Sequence, residues 1–395
     1  MPKRTIEDLD LRGRRLFVRV DFNVPLGRDG EVSEDARIRA VLPTLRHART
    51  RGARAVVVAS HLGRPKGGPE AKLSLAPVAR RLGALLSETV PLAPDCVGAA
   101  VEAQAGALPP GGVLLLENLR FHSGEETNDP EFARALARLG DVYVDDAFAA
   151  AHRAHASTEG ITRHLRPAVA GLLMKQELAA LARIFDAPGR PLVAILGGAK
   201  VSDKLALIES LLGRVDRLLV GGGMAFTFLR AQGYEVGRSL LEADLVATAR
   251  GLLDQARARR VDLRLPVDTV VAASPDAAQG RVVDSSAIPA DLMGLDIGPA
   301  TVRHFADALR GSQTIVWNGP MGVFERAPFA AGTLGLARAV TDTPALSVIG
   351  GGDTVAAVQA AGVADRIGYL STGGGAFLEY LEGRALPGVA ALDDA

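Results

Sequence analysis

The stretch Ala55-Val56-Val57-Val58-Ala59-Ser60 is a short, unbroken apolar run rich in β-branched residues. Such a run is typical of a strand buried on both faces, as in a parallel sheet. Comparable runs recur at residues 16–21, 113–117, 142–145, 192–196, 217–220, 314–317, 346–349 and 367–370. Longer amphipathic stretches, such as 33–51 and 74–86, lie between them. Strands that alternate with helices predict an α/β fold with parallel sheets.

The runs fall into two groups separated by a helical stretch. Residues 174–185 have helical spacing, and the turn-rich sequence Asp186-Ala187-Pro188-Gly189-Arg190-Pro191 follows them. A chain of 395 residues is long enough for two or three domains. We therefore predict two α/β domains joined by a helix, with a cleft between them. The predicted limits are 1–174, 175–190 for the joining helix and linker, and 191–378.

Composition narrows the classes of function. Hydrophobic residues make up 48% of the chain, which is enough for sizeable cores. The 45 basic residues balance 45 acidic ones, so no overall field would attract a nucleic acid or an anionic membrane. We expect neither as a partner. The single cysteine, Cys96, excludes an intramolecular disulfide, fits a reducing compartment and is most simply a small core residue.

The N-terminal sequence predicts a cytoplasmic protein. Met1-Pro2-Lys3-Arg4-Thr5-Ile6-Glu7-Asp8 lacks the apolar core of a signal peptide. No apolar run approaches the roughly 18–20 residues needed to span a bilayer. The zero net charge and the lack of an obvious apolar surface stripe favour a monomer.

Basic and polar residues follow the strands of the first half, where ligands of open α/β sheets bind. The loops are Asp21-Phe22-Asn23-Val24-Pro25, Ser60-His61-Leu62-Gly63-Arg64-Pro65, Glu117-Asn118-Leu119-Arg120-Phe121, and Asp146-Ala147-Phe148 leading to His152-Arg153-Ala154-His155. Guanidinium groups match the oxygens of carboxylates and phosphates. The candidates for one basic pocket are Arg37, Arg64, Arg120, Arg153 and His61.

Glycines follow the strands of the second half instead. The clusters are Gly197-Gly198-Ala199-Lys200, Gly221-Gly222-Gly223, Asn318-Gly319-Pro320, Gly350-Gly351-Gly352-Asp353-Thr354 and Thr372-Gly373-Gly374-Gly375. Glycine lets backbone N–H groups approach a phosphate closely, and a following helix N-terminus adds a favourable dipole. Any single cluster could be a tight turn, but the set predicts a phosphate site.

Two of the six lysines of the chain, Lys200 and Lys204, lie beside the first glycine cluster. They are four residues apart, which on a helix would place both on one face. Their ammonium groups suit the phosphates of a nucleotide. Asp353 either holds Mg²⁺ on those phosphates or caps the following helix, and the sequence leaves both roles open.

Other patterns of nucleotide and metal binding are absent from the sequence. There is no Gly-Lys dipeptide and hence no Walker A loop. The first strand turn lacks the Gly-x-Gly-x-x-Gly spacing, and neither His-Arg-Asp nor Asp-Phe-Gly of the protein kinases occurs. His152 and His155 have no Cys or Glu at zinc-site spacing.

Taken together, the motifs resemble one family, phosphoglycerate kinase. The matching stretches run in order along almost the whole chain. They are Arg19-Val20-Asp21-Phe22-Asn23-Val24-Pro25, Ser60-His61-Leu62-Gly63-Arg64-Pro65, Glu117-Asn118-Leu119-Arg120-Phe121, Ala151-His152-Arg153-Ala154-His155, Gly197-Gly198-Ala199-Lys200-Val201, Trp317-Asn318-Gly319-Pro320-Met321-Gly322-Val323-Phe324-Glu325, Gly350-Gly351-Gly352-Asp353-Thr354 and Ser371-Thr372-Gly373-Gly374-Gly375-Ala376.

The resemblance implies two Rossmann-like domains and a glycolytic reaction. A phosphoryl group would pass reversibly from 1,3-bisphosphoglycerate to ADP, giving 3-phosphoglycerate and ATP. Phosphoglycerate would bind to the N-terminal domain, and the nucleotide with Mg²⁺ to the C-terminal domain. In-line transfer would follow closure about a hinge, and we expect residues 379–395 to return to the first domain.

The resemblance also implies the residues of each site. Those expected to contact phosphoglycerate are Asp21, Phe22, Asn23, Arg37, His61, Leu62, Gly63, Arg64, Arg120 and Arg153. Those expected to contact the nucleotide are Gly198, Ala199, Lys200, Lys204, Gly222, Gly223, Gly294, Leu295, Asn318, Glu325, Gly350, Gly351, Gly352, Asp353 and Thr354. Asp353 would be the metal ligand. One departure is Phe148-Ala149-Ala150, where the family usually has Phe-Gly-Thr. Because alanine disfavours positive φ, we expect a conflict if the backbone before Arg153 requires it.

The chemistry of this transfer favours charge stabilisation over proton transfer. The accepting carboxylate is already ionised at neutral pH, so the reaction needs no general base. We expect Arg37 and Lys200 to stabilise the transferring group. Two alternatives remain. A nicotinamide-dependent dehydrogenase would need the missing first-turn fingerprint, and a non-catalytic nucleotide-binding protein would have no use for the arginine pocket.

Overall fold

The structure is a computed structural model that describes residues 2–66, 68–186 and 188–395. The chain forms two compact units. Unit 1 comprises the chain up to Leu178 together with Ala385–Ala395, and unit 2 comprises Ala179–Arg384. The domain limits drawn from the sequence stay predictions. Met1 and Gly67 of the predicted first domain and Ala187 of the predicted linker lie outside the described residues.

Unit 1 contains a parallel five-stranded sheet with the order β3-β2-β1-β4-β5. Its strands are β1 (Arg15–Val20), β2 (Ala55–Ala59), β3 (Gly112–Leu115), β4 (Val142–Asp146) and β5 (Ala168–Ala170). Its helices are α1 (Ala36–Thr50), α2 (Ala76–Leu86), α3 (Ala99–Gly106), α4 (Ser123–Glu126) and α5 (Pro130–Ala137). Every residue of β2 is buried, as its unbroken apolar run predicts.

Helix α6 (Leu172–Phe185) crosses from unit 1 into unit 2. The first backbone N–H groups of a helix have no partner within it, and here side chains of unit 1 accept two of them. Thr44 Oγ1 accepts from Leu172 N at 2.9 Å, and Asp146 Oδ1 accepts from Met174 N at 3.0 Å. The helix is therefore fixed at its start by the end of β4 and by α1.

Unit 2 contains a parallel six-stranded sheet with the order β14-β13-β12-β6-β7-β8. The strands of the unit are β6 (Leu192–Leu196), β7 (Arg217–Val220), β8 (Asp262–Arg264), β9 (Asp268–Ala272), β10 (Arg281–Asp284), β11 (Met293–Ile297), β12 (Thr314–Asn318), β13 (Leu346–Gly350) and β14 (Tyr369–Leu370). Its helices are α7 (Leu205–Leu212), α8 (Met224–Ala231), α9 (Val246–Ala258), α10 (Pro299–Leu309), α11 (Ala331–Thr341), α12 (Gly352–Ala360) and α13 (Gly375–Leu381). The predicted pair of parallel-sheet α/β domains is confirmed.

A small antiparallel sheet in unit 2, with the order β10-β9-β11, was not predicted from the sequence. The reason lies in its strands. Three of the four residues of β10 are exposed and the pairing of β11 contains a bulge, so neither strand has the continuous apolar run of a buried strand.

The C-terminal residues return to unit 1. Helix α14 (Pro387–Ala390) brings Gly388 N within 2.9 Å of Ala151 O. Asp393 N donates to Ala168 O at 2.8 Å, and Lys3 Nζ lies 2.8 Å from Asp394 Oδ1. Among the described residues, the chain has no helix with the length and apolar character that a membrane crossing requires.

Candidate functional site

The first candidate site lies at the carboxyl ends of β1, β2, β3 and β4 in unit 1. Asp21 follows β1 directly and is buried. Its Oδ2 accepts a hydrogen bond from Arg37 Nη1 of α1 at 2.5 Å, and its Oδ1 accepts from Asn23 N at 3.0 Å. Asn23 Oδ1 in turn accepts from Gly63 N at 2.8 Å. The loop after β1 thus orients Arg37 and holds the loop after β2.

The loop after β2 is also held by the segment that follows β3. Asn118 Oδ1 accepts from Leu62 N at 3.2 Å, and Asn118 Nδ2 donates to Leu62 O at 2.8 Å. Arg120 Nη1 donates to Gly63 O at 2.8 Å, and Arg120 Nε lies 3.3 Å from Glu126 Oε1. The side chains of Phe22 and Leu62 are buried, so these two predicted residues shape the loops from within.

Arg19, next to the last residue of β1, belongs to this site although the sequence analysis did not select it as a site residue. It is buried, and its Nε donates to Ser157 Oγ at 2.8 Å. Its Nη2 lies 3.3 Å from His61 Nδ1. Because a guanidinium group only donates, His61 Nδ1 must accept, and the ring proton of a neutral His61 lies on Nε2. A charged residue inside an apolar strand was the signal that could have revealed Arg19.

Burial and surrounding positive charge keep the two histidines of the site neutral. Burial, followed by the charges of Arg19 and Arg120, holds the pKa of His61 well below its ordinary value. Burial and the same two arginines lower the pKa of His155 to about 4. His61 is therefore a hydrogen-bond donor through Nε2 and carries no charge at neutral pH.

The buried carboxylate of Glu125 lies close to these arginines and offsets part of their positive charge. Its Oε2 accepts from Ser157 N at 3.0 Å and its Oε1 accepts from Ser157 Oγ at 2.5 Å. His155 Nδ1 lies 3.8 Å from Oε1. Because Ser157 Oγ also accepts from Arg19, the serine links the carboxylate to the guanidinium group. Burial raises the pKa of Glu125, while the charge of Arg19 opposes that effect.

The predicted arginines differ in how firmly the structure holds them. Arg120 is part-buried, and burial lowers its pKa with Arg19 and Arg153 acting in the same direction. Arg153 is exposed, and its Nε lies 3.1 Å from His152 Nε2. Arg64 is exposed, and its side chain forms no hydrogen bond or ion pair with the residues described in the structure. The cluster therefore has a buried, hydrogen-bonded interior and two exposed arginines, Arg64 and Arg153, at its rim.

The alanines that replace the usual Gly-Thr before this segment fit the backbone without strain. Phe148–Ala150 forms a 3-10 turn, and Ala149 and Ala150 are not among the residues with positive φ. The expected conflict with alanine therefore does not arise, and Arg153 follows an ordinary right-handed turn.

The second candidate site lies in unit 2, where three glycine-containing loops pack backbone against backbone. Gly198 N donates to Pro320 O at 3.1 Å, and Gly222 N donates to Met321 O at 3.1 Å. Gly222 has a φ of +67°, and a Cβ atom there would lie 2.6 Å from Gly198 O. Side chains at these positions would separate the loops, so the glycines are required by close approach as well as by conformation.

The two lysines of this site occupy different environments. Lys204 is buried, and its Nζ donates to Asn318 O at 3.1 Å and to Asn318 Oδ1. Burial lowers the pKa of Lys204 to about 8. Lys200 is exposed and precedes the 3-10 turn Ser202–Lys204, after which α7 begins. The prediction that both lysines share one helix face is wrong, because no helix spans the two residues.

The loop after β13 ends at the start of α12. Its N-cap is Gly351, with a φ of +97°, and Asp353 lies within the first turn as an exposed residue. The alternative that Asp353 caps this helix is therefore excluded. Thr354 Oγ1 accepts from Gly319 N at 2.7 Å, and Asn318 Nδ2 donates to Gly350 O at 2.7 Å. These bonds tie the loop after β12 to the loop after β13.

A cavity of about 390 Å³ adjoins these loops. Eight of the predicted nucleotide residues line it, namely Gly198, Ala199, Gly222, Gly223, Gly294, Leu295, Glu325 and Asp353. The others, Lys200, Lys204, Asn318, Gly350, Gly351, Gly352 and Thr354, do not line it. The wall also contains Phe226, Leu240 and Met293, so much of it is apolar, as a flat heterocyclic ring requires.

Within the described residues, we consider one carboxylate and one cluster of side chains as possible cation ligands. Asp353 offers an exposed carboxylate at the cavity, and its oxygens accept no hydrogen bond from the described residues. In unit 1, ligand atoms of Asp95, Cys96 and His122 lie within 4.8 Å of one another. In that group the carboxylate already accepts from His122 Nε2 at 2.7 Å, and burial raises the pKa of the Cys96 thiol. Asp353 is the better placed ligand for a nucleotide-bound cation.

Comparison with known proteins gives a family for the chain. A family model described as phosphoglycerate kinase matches residues 6–384. Proteins named phosphoglycerate kinase from Anaeromyxobacter dehalogenans and Roseiflexus castenholzii are 54% and 56% identical to this chain, with 100% of each chain covered.

Solved structures give the same result for the fold. The structure of phosphoglycerate kinase from Coxiella burnetii superposes with a TM-score of 0.90 at 43% identity, covering 99% of this chain and 98% of that one. The phosphoglycerate kinase from Pyrococcus horikoshii superposes with a TM-score of 0.82 at 36% identity over the same shares. By motif, by sequence and by fold, the chain belongs to the phosphoglycerate kinase family.

Proposed function

We propose that this chain transfers a phosphoryl group reversibly between 1,3-bisphosphoglycerate and ADP, with 3-phosphoglycerate and ATP as the other pair. The proposal rests on one observation: the chain contains two candidate anion sites of different construction, one in each unit. Unit 1 holds the arginine and histidine cluster around Arg19 and His61, and unit 2 holds the glycine loops around Gly198 with Lys200. A small phosphorylated acid suits the first, and a nucleotide suits the second.

On unit 1, we assign phosphoglycerate to the face formed by Arg37, Arg120 and the Nε2–H of His61. Asp21 holds Arg37 at 2.5 Å, and Gly63 O holds Arg120 at 2.8 Å, so both guanidinium groups are oriented before a ligand arrives. Fork-shaped donors can bind carboxylate and phosphate oxygens in pairs. Arg64 and Arg153 are exposed and would reach the ligand from the rim.

On unit 2, we assign the base to the apolar cavity and the phosphates to the glycine loops. Backbone N–H groups beside Gly198 and at the start of α12 suit phosphate oxygens. Lys200 and Lys204 supply positive charge, and Glu325 at the cavity suits the ribose hydroxyls. Asp353 would hold Mg²⁺, which when bound neutralises the phosphates of the nucleotide.

The side chains support catalysis by alignment and charge. The attacking carboxylate is ionised at neutral pH, so no side chain has to remove a proton. His61 has no role as an acid or base in this scheme, because its pKa lies well below the neutral range. Arg37 and Lys200 stabilise the charge of the transferring group. Closure of the two units after both ligands bind would exclude water from a reactive acyl phosphate.

An assay in the ATP-consuming direction, coupled to the release of ADP, tests the proposed function. Purified protein with 3-phosphoglycerate and ATP should consume both and yield ADP and an acyl phosphate that hydroxylamine traps. Omitting either substrate is the control. ATP consumption that does not depend on 3-phosphoglycerate would contradict the proposal.

Small-angle scattering tests closure. With both substrates bound, the radius of gyration should be smaller than with either one alone, and an unchanged radius would count against closure. We further propose a monomer in the cytoplasm. The single cysteine and the role of the reaction in glycolysis support that location, and size-exclusion chromatography with light scattering tests the monomer.

A further inference from the structure

Glu242 accepts three hydrogen bonds from the segment that follows Lys200. Its Oε2 accepts hydrogen bonds from Val201 N at 2.5 Å and from Ser202 N at 3.1 Å. Its Oε1 accepts from Ser202 Oγ at 2.5 Å. One carboxylate therefore satisfies three donors in two consecutive residues, directly after the lysine that we place at the transferring phosphate.

The segment 197–204, called here the lysine loop, is held on its other side by backbone groups. Gly198 N donates to Pro320 O at 3.1 Å, and Lys204 Nζ donates to Asn318 O at 3.1 Å. Lys200 lies between these two attachments and is exposed, so no packing fixes its side chain. The direction in which it leaves the loop depends on the backbone at the next residue, Val201, which Glu242 holds.

Glu242 is itself anchored and charged. Its backbone N donates to Thr227 Oγ1 of α8 at 3.2 Å, and Thr227 is buried. Although partial burial acts to raise the pKa of Glu242, hydrogen bonds from Ser202 and Val201 and the charge of Lys200 lower it overall. The ionised carboxylate takes the free N–H groups at the start of the Ser202–Lys204 turn, where an anion is favoured.

We propose that Glu242 is a positioning residue for phosphoryl transfer, acting through the lysine loop and not through contact with the nucleotide. By binding the turn after Lys200, Glu242 orients the Lys200 side chain toward the phosphates of the nucleotide. It also occupies Val201 N and Ser202 N, so that the phosphates do not bind there. The inference rests on the proposed function, because it assigns Glu242 a part in the binding of ATP.

The test compares Glu242→Ala and Glu242→Gln with the wild type. ATP binding is measured by titration calorimetry, and kcat and both KM values are measured by the coupled assay. Glu242→Ala should reduce kcat/KM for ATP by about 10-fold or more, the scale of a small misplacement of a reacting group. The KM for 3-phosphoglycerate should stay within about twofold. Glu242→Gln keeps one acceptor oxygen and should recover part of the loss.

Two further variants keep the result interpretable. Glu235→Ala is the matched control, because Glu235 lies nearby in the chain, is exposed and, within the described part of the chain, pairs with Arg230 alone. It should match the wild type. Ser202→Ala removes the hydroxyl group that donates to Glu242 Oε1, so it breaks one of the same hydrogen bonds at the donor. It should shift ATP binding in the same direction by a smaller factor, and should add little to Glu242→Ala in the double variant. This variant also serves if Glu242→Ala fails to fold.

The outcomes separate the two proposals. Wild-type protein without transfer activity would overturn the proposed function, and the calorimetry would still report on Glu242. Active wild-type protein, with ATP binding and kcat/KM unchanged in Glu242→Ala, would overturn the positioning role. An equal weakening of both substrates would also overturn it, because it would indicate a general loss of structure.

Discussion

The anion site of unit 1 is made of charged side chains that are buried and bonded to one another, whereas that of unit 2 is made mostly of glycine backbone. Arg19, Glu125 and Ser157 form the interior of the first, and each satisfies another's hydrogen bonds. In the second, Gly198 and Gly222 lie in loops whose backbones touch. The first site should therefore be sensitive to loss of a side chain, and the second to addition of one.

The largest expected effect is on catalysis, where both sites contribute a charge. Arg37→Ala and Lys200→Ala should each lower kcat by about 100-fold or more, the scale of losing a charge contact in the transition state. Arg39→Ala is the control, because Arg39 lies on the same helix α1 but pairs with Asp35 at the surface. Steady-state kinetics that show only a raised KM for both variants would refute this role.

A substitution within the buried network should strongly affect the stability of unit 1. Glu125→Gln replaces one of two oxygens that accept from Ser157 with an amide that donates, so a buried donor loses its partner. We expect a loss of about 3 kcal/mol in the free energy of unfolding. Glu126→Gln, at an exposed neighbour, should change it by less than about 0.5 kcal/mol. Equal urea midpoints for the two variants would show that the network contributes nothing.

In unit 2, the corresponding change is the addition of a methyl group. Gly222→Ala forces a left-handed backbone on alanine and a close contact with Gly198 O, which should cost about 2 kcal/mol of stability. Gly251→Ala, in helix α9 where a Cβ meets nothing within 4 Å, should instead be neutral or stabilising by up to about 1 kcal/mol. Denaturant unfolding of both variants measures the difference. A Gly222→Ala protein as stable as Gly251→Ala would contradict the close packing of the loops.

A smaller effect should appear in the pH dependence of unit 1. The pKa of His155 is about 4 in the folded protein and 6.5 is its ordinary value, so the unfolded chain binds a proton first as pH falls. The contribution of neutral His155 to the free energy of unfolding is therefore present in full above pH 6.5. It is lost progressively as the pH falls from 6.5 to 4.

Removing His155 tests that dependence. Between pH 7 and pH 5, His155→Gln should lose about 1 kcal/mol less stability than the wild type. The buried Asp145 and Asp146, whose pKa values burial raises to about 6 and about 7, act in the opposite direction but are present in both proteins. Parallel stability curves for the two proteins would contradict a depressed pKa for His155.

The same contrast explains how much the sequence could predict. Residues at the ends of apolar strands, such as His61 and Gly198, were recognisable because a parallel sheet brings those ends to one edge. Arg19 and Glu125 were not selected, because their roles depend on contacts with residues that are distant in sequence. Glu242 belongs to no motif, and only the folded chain brings it to the lysine loop.

The most direct test of the account is a double dissociation in ligand binding, measured by titration calorimetry on the full chain. Arg120→Ala should raise the Kd for 3-phosphoglycerate by at least about 10-fold and leave the Kd for ATP within about twofold of the wild type. Gly222→Ala should do the reverse. If Arg120→Ala leaves 3-phosphoglycerate binding unchanged, or if each variant weakens both ligands equally, the assignment of one ligand to each unit is contradicted.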